Sequence, residues 1–245
     1  MKKIQFPIIL LLVAGSLVRC STHGEPSATS TVSLKMSAST PDGKAIIGGR
    51  TMSAVTLADV KVNIREIKFE FDEEDDHFKK DSAFQEDDDS KLKGPFIVDL
   101  MNAGAFVDQV VTTVNVPNAK YEKIKFKLAP SAVAGDMDGK SILINGTIGS
   151  TPFIFWHNAN AHFGAKFPDS TSLATNGAAV TLAIHLELDK VLNVLNGGID
   201  LSNAVDGNQD GTITIDPLND DGNKEMADAI MMLLTHHTHC EKENH

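Results

Sequence analysis

Apolar and polar positions alternate along most of this chain with a period of two. Val32, Leu34 and Met36 alternate with Ser33, Lys35 and Ser37, which predicts a strand with one face buried. In "KYEKIKFKL", Ile124, Phe126 and Leu128 alternate with Lys123, Lys125 and Lys127 in the same way. "AAVTLAIHLEL" sets Val180, Leu182, Ile184, Leu186 and Leu188 on one parity and His185 on the other, toward solvent. "PFIVDL", "VVTTVNV", "SILINGTI" and "TPFIFW" add short strands between turn residues. The long run "VTLADVKVNIREIKFEF" changes face within itself. Val60, Val62 and Ile64 share one parity, whereas Ile67, Phe69 and Phe71 share the other. A strand's faces alternate strictly, so the switch requires a bulge near Arg65–Glu66 or two strands meeting at a bend.

Toward the C-terminus the period lengthens. "LDKVLNVLNGG" reads as a short helix closed by Gly197 and Gly198. "NKEMADAIMMLLTHH" places Met226, Ile230, Leu233 and His237 on one helical face, behind capping candidates at Asp220, Asp221 and Asn223. The whole pattern predicts a mainly β fold. It is expected to be an antiparallel β-sandwich of immunoglobulin or prealbumin type, with one or two α-helices near the C-terminus. Residues 32–245 are expected to form it as a single domain, divisible near residue 189.

The amino end has a different character. Lys2 and Lys3 precede a short apolar run from Ile8 to Ala14, within the ~7–15 residues of a secretory leader and short of the roughly 20 needed to span a bilayer. Leu17-Val18-Arg19-Cys20 resembles a bacterial lipobox, with Arg19 where a small residue is usual. The expectation is a signal peptide over 1–19, lipidation of Cys20, and a tether over 20–31. Such a protein is held in the cell envelope, outside the cytoplasm, by its lipid anchor. The full chain carries −11; losing the three positive charges of the leader leaves −14. That balance argues against nucleic-acid binding, which needs Lys and Arg for phosphate, and suits divalent cations or basic partners. Cys20 and Cys240 are the two cysteines of the chain, so a lipidated Cys20 leaves no internal disulfide to form. The acidic run over 72–93 reads either as a calcium-attracting surface or as a solvated excursion between strands.

Two stretches resemble known families. "VKVNIREIKFEF", "FIVDLMN" and "VNVPNAKYEKIKFKL" resemble a widespread bacterial lipoprotein domain of unknown function, with Pro117, Tyr121, Ile124 and Leu128 matching its "vPaGxY…I.L" strand. The resemblance implies an extracytoplasmic β-sandwich and no activity. "VTLAIHLELDKVLNVLNGGIDL" followed by "DPLNDDGNKEMADAIMMLL" is similar to the end of periplasmic copper-handling lipoproteins of the MbnP type. That similarity implies copper.

The chemistry-bearing segments are few. "DGNQDGTITIDP" spaces its oxygens like a calcium loop, since such a loop needs oxygens at positions one, three and five, a glycine at six and a bidentate acid at twelve. Asp206, Asn208 and Asp210 meet the first three requirements, Gly211 the fourth, and Thr212 offers its carbonyl. Position twelve is Pro217, with Asp216 one residue early. Calcium would therefore bind weakly through Asp206, Asn208, Asp210, Thr212 and Asp216, unless Asp220 or Asp221 bends in. The alternative is an Asx-type turn. "GDMDGK" carries Asp136 and Asp138 in what reads as a hairpin turn. A transition-metal set of copper or zinc ligands would draw on His157, His162, His236, His239 and Cys240, with His236 and Cys240 four apart if the last helix continues. No nucleophile elbow, zinc-protease helix or phosphate loop is present in the sequence, and a non-enzymatic role is expected. The expected function is a lipid-anchored binding or structural module stabilised by calcium, with its ligand and its protein or saccharide partner unknown. The alternative is a periplasmic copper- or zinc-binding lipoprotein.

Overall fold

The computed structural model describes residues 29–40, 46–47, 54–71, 91–118, 120–166, 173–174 and 177–242. The expected leader, Cys20, most of the tether, and residues 72–90 of the acidic run lie outside the described residues.

Fifteen strands and two helices follow one another through the described chain. They are β1 (Thr29–Ser39), β2 (Ile46–Ile47), β3 (Val55–Phe71), β4 (Lys91–Asp99), β5 (Met101–Asn102), β6 (Ala105–Phe106), β7 (Gln109–Pro117) and β8 (Lys120–Leu128). After these come β9 (Ile142–Ile148), β10 (Thr151–His157), β11 (Ala161–Lys166), β12 (Leu173–Ala174), β13 (Val180–Glu187), α1 (Leu188–Leu192), β14 (Ile213–Ile215), α2 (Lys224–His236) and β15 (Thr238–Lys242). One sheet has the order β15-β13-β1-β7. The larger sheet runs β11-β8-β3-β9-β10-β14, with β2 and β4 also on β3 and β12 on β8. Their inner faces meet in one apolar core: Leu34, Met36, Leu182 and Ile184 from the first, Ile67, Phe69, Phe126 and Phe163 from the second. Each such buried side chain contributes roughly 1.5–3 kcal/mol of transfer free energy. Phe126 and Phe163 stack at 4.9 Å between ring centres.

The mainly β architecture with two C-terminal helices is as the periodicity predicts. Strictly antiparallel pairing is not: β1 runs parallel to β13, and β10 parallel to β14. β13 lies far from β1 along the chain, and so long an excursion lets a strand return in either direction.

β3 organises the larger sheet. β9 pairs with Val55 to Val62 and β8 with Ile64 to Phe71, one after the other along one edge, while β4 takes the opposite edge. The ladder shifts between Ile64 and Glu66, the expected bulge, and by inserting Arg65 it keeps both Ile64 and Ile67 fully buried. Asn63 sits where β8 and β9 diverge. Its backbone N–H donates to Ser141 at 2.9 Å, and its side-chain amide donates to the Ala129 carbonyl at 2.7 Å. A buried amide thus satisfies backbone groups that neither ladder reaches.

Three local expectations change. β1 starts at Thr29, inside the expected tether, and Ser30 is buried with its hydroxyl donating to Asn118. α1 stops at Leu192, because Asn193 turns its side chain to accept from Leu195 N–H and starts a 3-10 turn that ends at left-handed Gly197. Asp189 joins the two pieces by accepting from the side chains of Asn193 and Asn196. α2 buries Ala227, Ile230, Met231 and Leu234, a face rotated from the expected one. Met226 and Leu233 lie at its margin and His237 falls beyond its end.

Candidate ion-binding site

The Asp206 loop lies between a 3-10 turn at Leu201–Asn203 and β14. Its backbone cannot join a ladder, so its amides need other acceptors, and the short acidic side chains supply them. Asp206 accepts from the N–H groups of Asp210 and Gly211 through its two oxygens, at 3.1 and 2.9 Å. The Asn208 side-chain carbonyl accepts from the same Asp210 N–H at 2.9 Å, and Asp210 accepts from Thr212 N–H at 2.8 Å. The Asn208 amide donates to Asp210 at 3.2 Å. Gln209 and Gly211 have φ of 62° and 89°, the left-handed bends that fold three oxygen-bearing side chains onto one turn.

Behind the turn stands Asp221, which is 3% exposed. One oxygen accepts from Asn208 N–H at 3.1 Å and the other from Thr214 N–H at 2.6 Å. Asn223 completes the wall: its amide donates to the carbonyls of Val205 and Thr214, and its oxygen accepts from Val205 N–H. Pairing of β14 with β10 fixes the whole assembly to the sheet.

Of the residues singled out by spacing, Asp206, Asn208 and Asp210 come together. Thr212 gives its N–H to Asp210. Asp216 is fully buried and serves its own turn, accepting from the N–H groups of Leu218, Asn219 and Asp220. The acid that reaches the loop is Asp221, brought back by the reversal through Pro217 to Gly222. The sequence offered Asp220 and Asp221 alike as acids that could bend in, and the fold selects Asp221. Asp136 in "GDMDGK" pairs with Lys61 at 3.2 Å within a hydrogen-bonded turn.

The histidines are dispersed. α2 ends at His236, and the chain enters β15, so the helical spacing of His236 with Cys240 does not exist. The period-two strand buries Cys240 at 1% exposure beside Ile184 and turns His239 outward. The reason is pairing: β13 offers a free edge to which the tail adds as a strand, and this outweighs extension of the helix. His236 sits against the Met232 carbonyl of its own helix at 2.8 Å. His157 is buried; its Nδ1 accepts from Ala159 N–H and its Nε2 lies 3.2 Å from Asp228. Hydrogen bonds from Lys224 and then from His157 hold the Asp228 carboxyl below its ordinary pKa. His162 is exposed on β11, beside a shallow depression of about 250 Å³ lined by Glu66, Glu70, Lys125 and Lys127. There Glu70 opposes burial with hydrogen bonds from Lys125 and Lys123, which hold its carboxyl below the usual range. Among the described residues, no three His, Cys, Asp or Glu side chains converge on a point that could hold a metal ion. Likewise no helix among them is long and apolar enough to cross a membrane.

Comparison of the chain with family models, with curated proteins and with solved structures yields no match.

Proposed function

We propose that this chain is a lipid-anchored binding or structural module of the cell envelope, built on a two-sheet body, with calcium as a structural ion at the Asp206 loop. The observation carrying the calcium reading is the meeting of Asp206, Asn208 and Asp210 on one left-handed turn. Val205 to Gly222 holds five aspartates and no Lys, Arg or His, so its own field attracts a divalent cation. Oxygen donors of this kind suit calcium, and open sites outside the cell work at Kd near ~10⁻⁴–10⁻³ M. The ion would draw the carboxylates away from some of the N–H groups they now hold. The anchor rests on the leader pattern and Cys20, together with the resemblance to lipoprotein domains.

Melting in the presence and absence of calcium tests the ion. At 10 mM the stabilisation expected from mass action is about 1.4–2.7 kcal/mol, a rise in Tm of roughly 3–10 °C. Asp206→Ala combined with Asp210→Ala should abolish the rise. An unchanged Tm in the native chain overturns the calcium assignment. For the anchor, mass spectrometry of the protein from its own cells should find Cys20 acylated as the first residue; an intact leader without lipid removes that half of the proposal.

A further inference from the structure

His185 and His239 are 54 residues apart in sequence, yet the antiparallel pairing of β13 with β15 sets them directly opposite. Both project from the face away from the core, because their neighbours Ile184, Leu186 and Cys240 are buried. Their ring centres are 5.1 Å apart, with the planes tilted by 31°. Two imidazoles that ligate one ion at about 2.0–2.1 Å and a near-tetrahedral angle have ring centres about 5 Å apart. We propose that this pair is a surface site for a divalent transition-metal ion, copper(II) or zinc(II), bound through one nitrogen of each ring.

A hydroxyl holds one ring of the pair, and a carboxylate stands near the other. The Ser37 hydroxyl lies 2.7 Å from His185 Nδ1, on the strand that pairs with β13 from the other side. The Glu187 carboxylate lies 3.9 Å from His239 Nδ1, while also holding Lys190 at 2.8 Å. With His185 Nδ1–H donating to the Ser37 oxygen, Nε2 keeps its lone pair for the metal. Nε2 is therefore the coordinating atom of His185, and His239 supplies one nitrogen of its ring. With two protein ligands, water fills the remaining positions and the ion exchanges readily. Imidazole nitrogen excludes calcium, which takes oxygen, and copper(II) should exceed zinc(II) in affinity. The site shares only His239 with the ligand set expected from sequence and is independent of the Asp206 loop.

Calorimetric titration of the full chain with zinc(II) in a non-coordinating buffer tests the proposal. One saturable, readily exchanging equivalent is expected, weakened about tenfold or more by His185→Gln and by His239→Gln, with the double variant little worse than either single one. Ser37→Ala should weaken binding about tenfold at unchanged stoichiometry, a readout that a merely structural serine would not move. His162→Gln and His236→Gln should bind as the native chain does. Copper(II) should displace zinc(II) from the native chain. Both rings lie at the surface, so circular dichroism of the variants should match the native spectrum. The absence of zinc binding to the native chain, or a double variant that binds as tightly, overturns the assignment.

Discussion

Gly146→Ala should be among the most damaging single substitutions in the protein, costing about 3 kcal/mol or more. Gly146 lies within β9, opposite Leu57 on β3 and Phe153 on β10. A Cβ there would enter the van der Waals envelope of the Thr56 carbonyl oxygen and sit 2.8 Å from a ring carbon of Phe153. The ring could swing aside at some cost. The carbonyl cannot, because it belongs to the central strand. Relief would require β3 and β9 to separate and give up ladder hydrogen bonds. Thermal melting should show a fall of roughly 6–12 °C, and Phe153→Leu in the same chain should not restore it. Gly164→Ala on β11 is the control: its Cβ meets nothing within 4 Å, so its effect should be small. A Gly146→Ala protein that melts with the native one would show that β3 and β9 are not packed as described.

Asp221→Ala should be nearly as severe, at about 3 kcal/mol. The buried carboxylate takes the N–H groups of Asn208 and Thr214, and hydrogen bonds to charged groups each contribute about 1.5–3 kcal/mol. Its loss would release the Asp206 turn from the wall formed with Asn223. Amide hydrogen exchange should therefore speed up at Asn208 and Thr214 while the core of β1 and β13 stays protected. Asp220→Ala makes a sharp comparison, since Asp220 is exposed and should change Tm little. Equal effects from the two neighbours would mean that Asp221 is not the residue closing the loop.

How much of this was legible in advance depends on the range of the interaction. The bulge at Arg65 could be read because a change of parity between Ile64 and Ile67 is a local signal. The buried faces of β1, β8 and β13 could be read for the same reason. Asn63 could not: in sequence it is a polar residue within an apolar strand, and its importance comes from Ala129 and Ser141, which lie just after β8 and just before β9. Gly146 was equally mute, since a glycine in a strand does not announce which carbonyl fills its missing Cβ. The tail misled for a related reason. "THHTHC" continues the helix by propensity, and only the edge of β13 turns it into a strand.

At the ion loop, spacing found Asp206, Asn208 and Asp210 because a tight turn is built from consecutive residues. It pointed to Asp216 over Asp221 because counting along the chain cannot follow a reversal. By itself, then, the sequence determined the long alternating strands, which side of each faces the core, and where the oxygen-rich turn lies. Those follow from backbone periods of two and 3.6 and from the short reach of Asp and Asn side chains. The tertiary structure alone decided the parallel pairing of β1 with β13, the use of Asp221 and the meeting of His185 with His239. Such contacts join residues distant in the chain, and they are set by how sheets share one core, which leaves no periodic mark on either partner.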